Sequence, residues 1–166
     1  MSNRLLGLTS IVAVLVIDQS SKTIALAAPA LESGIELLPI FNVVLVRNEG
    51  ISFGLFGGFV PWWLLAAFGA AIVMALMVWL WRAHHMLLQF ALGMIIGGAL
   101  GNIVDRLRYG AVTDFLDFHV AGYHWPAFNF ADAAIFSGVG VLLFDSFASS
   151  ARTDMSLTDR NDSGQT

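Results

Sequence analysis

The chain has 166 residues, 57% of them hydrophobic and 12% charged, with a formal net charge of -4 and no cysteine. A mean hydropathy of +0.76 is far above that of a soluble domain of this length and points to one small integral membrane domain. Eight scattered Lys and Arg with no basic cluster exclude a nucleic-acid surface, and the missing cysteines exclude disulfides, thiolate metal sites and a thiol nucleophile.

In chain order, four runs are apolar and long enough to cross a bilayer as helices: residues 5–27, 59–81, 87–104 and 130–149. The first reads as a retained span rather than a cleaved leader, because the later runs already make the protein multi-spanning. Asp18 and Lys22 interrupt it, four residues apart on one helical face. Between the first two spans, residues 41–47 alternate as a strand does and predict a short extramembrane sheet. The second span carries no charge, with Pro61 near its start.

The connection 82–86 is very short. In the third span, Gly93, Gly97 and Gly101 recur at steps of four, a small-residue stripe that admits another helix closely. At its end Asn102 shares a face with Asp105 and Arg106. Residues 106–129 form the second long connection, with an alternating stretch at 111–120 and a turn at 122–126. Asn129 and Asp132 open the fourth span, and the polar tail 151–166 is expected to be disordered. The architecture predicted is therefore a membrane all-α domain, residues 1–150, a four-helix bundle with a small β element in the connections 31–58 and 106–129.

A charge at a helix centre in lipid costs roughly 2.5–3.5 kcal/mol on insertion scales, so such residues face the bundle interior and a partner. Asp18 and Lys22 supply each other and read as support beside a site. Asp114 follows the third span and Asp132 starts the fourth. An even topology puts both on one face of the membrane, where two carboxylates at close range share a proton. One of them can then activate water while the other protonates the leaving group. Spacing alone does not choose among Asp105, Asp114, Asp117 and Asp132.

Two other patterns carry less. The stretch Gly50-Ile51-Ser52-Phe53-Gly54 matches G-x-S-x-G, but that motif acts only on a strand-to-helix turn of an α/β sheet, which this chain cannot build. His84 and His85 lack a third ligand and zinc spacing. The five tryptophans fit an interfacial aromatic belt.

The ordered set of Asp18 and Lys22 as D-x-x-x-K, Asn48-x-Gly50 with Ser52-Phe53-Gly54, GGALGNIVDR at 97–106, VTDFLDF at 112–118 and FNFAD at 128–132 resembles the bacterial lipoprotein signal peptidase family, also called signal peptidase II. The resemblance runs over about residues 5–147. It implies an inner-membrane aspartic endopeptidase that cuts prolipoproteins just before a diacylglyceryl-modified cysteine. Asp114 and Asp132 match the catalytic pair, Asn48, Asn102, Arg106 and Asn129 the polar residues around it, and Asp18 and Lys22 the first-helix motif. Ser52 stands where the family usually has a small residue.

The resemblance further implies four spans with both termini cytoplasmic, a periplasmic sheet that cradles substrate, membrane lipid as surroundings, and no metal or organic cofactor. A monomer is expected. The competing reading from the residues alone is a small transporter or channel whose polar path is lined by Asp18, Lys22, Asp114 and Asp132. A noncatalytic subunit that associates through the glycine stripe is a third.

Overall fold

The computed structural model describes residues 4–50 and 60–163, with side chains described to residue 147. Four helices, α1 (Arg4–Leu26), α2 (Trp62–Arg82), α3 (Met86–Tyr109) and α4 (Phe130–Ser163), enclose the bundle. Four strands, β1 (Ile35–Leu38), β2 (Phe41–Asn48), β3 (Val112–Val120) and β4 (Tyr123–His124), form one antiparallel sheet in that order. Each helix contains a window long and apolar enough to span a membrane, the last within Phe130–Phe147. Their outward faces carry large exposed apolar side chains such as Val12, Met74, Val78 and Phe144, as a lipid-facing surface requires.

The third helix is the hub, packing against α1, α2 and α4. The reason lies in its glycines. A Cβ at Gly93 would meet the Gly7 carbonyl of α1 at 2.6 Å, and one at Gly97 the Ile11 carbonyl at 2.8 Å. On the adjoining face, a Cβ at Gly98 would run into the Ala131 carbonyl of α4. The stripe is thus an internal seam to the first span, and Gly98 extends it to the fourth. Between α1, α2 and α3, the interior is filled by Ile11, Val73, Leu80, Ala83, Leu92 and Ile96.

Several boundaries differ from the sequence reading. The third span does not stop at Val104 but continues to Tyr109, because Asp105 and Arg106 find polar partners inside the protein and so do not break the helix. Gly110, at φ 72°, ends it in a left-handed cap whose N–H bonds back to the Arg106 carbonyl. Arg106, read from the sequence both at the end of this helix and at the start of the connection 106–129, is helical. The second span starts at Trp62 behind Pro61, and residue 59 lies outside the described residues.

Beyond Ser149 the backbone of α4 continues helical to Ser163 instead of becoming irregular. Extending a formed helix needs no new nucleus, so even a polar sequence can follow it. Residues 122–126 hold β4 as well as the expected turn, and β1 is an additional strand that the periodicity did not reveal.

The sheet is anchored to the bundle by Ala25, Leu31 and Phe115, which bury together. Its central pair is β2 with β3, where Val46 faces Asp114 and Asn48 faces Val112. A bulge between Val43 and Val46 shifts the register there. After β4 the chain returns along β3. Phe128 exchanges both backbone hydrogen bonds with Leu116, which delivers Asn129 to the start of α4.

Candidate active site

Asn129 is where two parts of the fold meet. It precedes α4 and forms a reciprocal cap with Asp132: the Asp132 N–H donates to Asn129 Oδ1 at 3.0 Å, and the Asn129 N–H donates to Asp132 Oδ2 at 3.2 Å. This is the capping-box arrangement, with Asn and Asp in place of the usual Ser or Thr and Glu. Because Asn129 Oδ1 must accept from a backbone N–H, its Nδ2 is the atom that turns toward β3. That nitrogen donates to Asp114 Oδ1 at 2.7 Å, with the Asn102 Oδ1 and the Thr113 carbonyl each at 3.3 Å. One buried residue therefore holds both carboxylates.

Each acid has a second amide donor. Asn48 Nδ2, from the end of β2, donates to Asp114 Oδ2 at 2.9 Å. Asn102 Nδ2, from α3, donates to Asp132 Oδ1 at 2.8 Å. Asp114 is only 1% exposed. Burial, and next the nearby Asp132 charge, push its carboxyl up from 3.8 to about 7, against the opposing pull of the Asn48 and Asn129 hydrogen bonds and the Lys22 charge. A carboxyl that titrates near neutrality beside a second acid is suited to proton transfer.

Below this pair lies a buried ionic cluster. Lys22 Nζ reaches Asp18 Oδ2 at 2.9 Å, Asp105 Oδ2 at 3.3 Å and Asn102 Oδ1 at 3.0 Å, so its three protons have three acceptors. Asp18 and Lys22 thus touch neither acid directly. Lys22 acts on Asp132 through Asn102, whose oxygen it engages so that the amide nitrogen faces the carboxylate. Asp105 also accepts the Thr113 N–H at 2.9 Å, tying α3 to β3 one residue before Asp114.

Of the residues singled out from the sequence for the site, Arg106 hydrogen-bonds to neither acid: it donates from Nη2 to the Gly50 carbonyl at 2.9 Å and from Nη1 to the Asn102 carbonyl at 3.4 Å. The other two aspartates go elsewhere: Asp105 into the lysine cluster, and Asp117 to His124 Nδ1 at 2.8 Å and Asn42 at 3.1 Å on the sheet. One participant was missed. Gln19 Nε2 lies 3.1 Å from both Asp18 Oδ2 and Asp105 Oδ1 and 3.2 Å from the Gly101 carbonyl. A polar residue beside Asp18 within a span was the available signal.

A cleft of about 1310 Å³ is lined by Asn48, Asn102, Arg106 and Asp132 at the polar end and by apolar residues of α2, α3 and α4, including Phe68, Ile72 and Phe136. His85 caps α3, accepting the Leu88 N–H, and its other nitrogen lies 3.3 Å from Asp145. Ser52, of the G-x-S-x-G pattern, lies outside the described residues.

Residues 10–148 match the family model described as signal peptidase (SPase) II. A lipoprotein signal peptidase of Beijerinckia indica is 42% identical over 153 residues, covering 90% of this chain and 92% of that protein. One from Shewanella amazonensis is 42% identical over 151 residues, with 89% and 90% covered. Among solved structures, a bacterial membrane enzyme determined by the in meso method at 2.3 Å superposes with a TM-score of 0.73 at 26% identity, covering 88% of this chain and 90% of its own. A second, at 1.9 Å, gives 0.69 at 27% identity, with 84% and 90% covered.

Proposed function

The chain belongs to the signal peptidase II family, and from that premise we propose that it is an aspartic endopeptidase that removes signal peptides from prolipoproteins, cutting immediately before the diacylglyceryl-modified cysteine. The observation that carries the reading is the shared hold of Asn129 on Asp114 and Asp132. Two acids fixed by one residue, one of them titrating near 7, form a pair that keeps a single proton between them at neutral pH.

In this mechanism the ionised member takes a proton from water as its oxygen attacks the scissile carbonyl carbon. The protonated member gives its proton to the carbonyl oxygen, producing a tetrahedral diol. As the C–N bond breaks, the nitrogen receives a proton from the acid that acted as base while the other acid takes the proton of one diol hydroxyl, which re-forms the carbonyl and returns the pair to one shared proton. Asn48 and Asn102 supply the outer donors that hold the acids in place.

The cleft suits a lipidated substrate. Its about 1310 Å³ exceeds the roughly 300–1,000 Å³ of drug-sized pockets, and its apolar walls would take acyl chains while the peptide lies at the polar end. On this reading the enzyme is a monomer of the inner membrane with both termini cytoplasmic and the sheet and acids toward the periplasm.

The test is incubation of the purified protein with a diacylglyceryl-modified precursor and, in parallel, the unmodified precursor. Only the former should be cut. Asp114→Asn and Asp132→Asn should each insert normally and lose cleavage by at least 10²–10⁴-fold, the usual reach of acid–base catalysis. Turnover by either variant at the wild-type rate rejects the pair.

A further inference from the structure

Arg106 lines the cleft and its charge is within range of Asp132, Asp114 and Asp105, yet its hydrogen bonds go to two backbone carbonyls and not to either acid. We propose that Arg106 is a positioning residue for the reaction, fixing Asp114 through a relay of three hydrogen bonds by way of Gly50 and Asn48. The inference rests on the peptidase reading above.

The relay follows from which atoms can donate. Arg106 Nη2 donates to the Gly50 carbonyl at 2.9 Å and so holds Gly50, two residues past the end of β2. The Gly50 N–H donates to Asn48 Oδ1 at 3.0 Å. A backbone N–H offers no lone pair, so Asn48 must present its oxygen to Gly50 and its Nδ2 to the other side. That nitrogen meets Asp114 Oδ2 at 2.9 Å. Without Gly50 held in place, Asn48 could rotate its amide and turn an oxygen toward the carboxylate, replacing attraction by lone-pair repulsion.

The same guanidinium is tied through Nη1 to the carbonyl of Asn102, the residue whose side chain holds Asp132. Arg106 is therefore joined to the residue that supports each acid. A cation that served only to bind substrate would not need both of its terminal nitrogens on backbone carbonyls, one of Asn102 itself and one of Gly50, whose N–H holds Asn48.

The groups facing Asp114 are Asn48 and Asn129 as donors, Asp132 as a like charge, and Lys22 and Arg106 as more distant cations, so Asn48→Ala, which leaves both cations in place, reads the donor alone. Loosening Asn48 removes one donor that favours the ionised form, so Asp114 would keep its proton to higher pH. The limbs of kcat/KM against pH report the free enzyme, before substrate contacts exist.

The experiment measures that profile for the full-length wild type, Arg106→Gln, Arg106→Lys and Asn48→Ala on a diacylglyceryl-modified precursor. The expected result is an alkaline limb displaced upward by about one pH unit in Arg106→Gln and Asn48→Ala alike, with kcat lowered about tenfold or more and KM little changed. Arg106→Lys, which can still donate to Gly50, should return most of the displacement. The double variant should be no worse than Asn48→Ala alone, because both act on one path.

A limb that stays in place while KM rises would make Arg106 a substrate contact only and overturn the relay, as would additive losses in the double variant. Should Arg106→Gln fail to fold, Asn48→Ala with an unmoved limb overturns it by itself. Failure of the wild type to cut the precursor sinks the peptidase reading instead, so the two failures are distinct.

Discussion

Asp18 Oδ1 accepts the backbone N–H of Ala131 at 3.0 Å, so a carboxylate from the middle of the first span seats on the opening turn of the fourth. The contact joins residues 113 positions apart and satisfies one of the orphan donors at a helix start, where a negative charge is also favoured by the helix dipole.

Removing this seat should be costly because Asp18 is fully buried and also pairs with Lys22. Asp18→Ala is expected to lower stability by about 3 kcal/mol, the range for breaking a buried pair, while Asp18→Asn keeps an acceptor for Ala131 and loses less. Thermal or denaturant unfolding in detergent measures both. Equal melting of Asp18→Ala and wild type would show that the seat supports nothing.

The glycine seams make a second, graded expectation. Gly98→Ala would press on the Ala131 carbonyl and Gly101→Ala on the Asp18 carboxylate, whereas Gly140 has nothing within 4 Å of an added Cβ. The first two should destabilise the bundle and reduce cleavage by displacing the start of α4. Gly140→Ala should be neutral or stabilising by about 0.5–1 kcal/mol, from helix propensity alone. Parallel melting curves and initial rates decide; a Gly98→Ala protein as stable as Gly140→Ala would contradict the close approach of α3 and α4.

Asp114 sets the third. Its carboxyl rises from 3.8 to about 7, so the folded protein holds this proton more tightly than the unfolded chain does. The stability it contributes is full below about 3.8 and is lost as pH rises through about 7. Activity that needs one shared proton should decline over the same upper limit. Titration of unfolding midpoint and of kcat/KM across this window should show both falling, and Asp114→Asn should abolish that component of the stability change. A midpoint insensitive to pH there would refute the perturbed acid.

Much of this was readable from residues alone. Four apolar runs of span length appear as four helices, since in lipid a backbone without water must close its hydrogen bonds within the helix. The alternation at 41–47 and 111–120 became β2 and β3. The end of α3 was misread because charge suggests an interface only while its partners are unknown. Asp105 is compatible with a helix interior once Lys22 and Thr113 meet it. Gln19 was passed over for the same reason, its three acceptors being spread over two helices.

The sequence by itself determined the class of the protein and its list of chemically capable side chains, because hydropathy and periodicity are local properties that each segment carries with it. Spacing left four aspartates open and the resemblance singled out Asp114 and Asp132; the tertiary structure brings those two to one shared asparagine. That meeting rests on contacts between residues distant in sequence: the α3 glycines that let α1 and α4 close in, the β2–β3 register that lays Asn48 beside Asp114, and the return strand that brings Asn129 to both acids. Carboxylates of equal intrinsic acidity differ in role only through the neighbours that folding gives them.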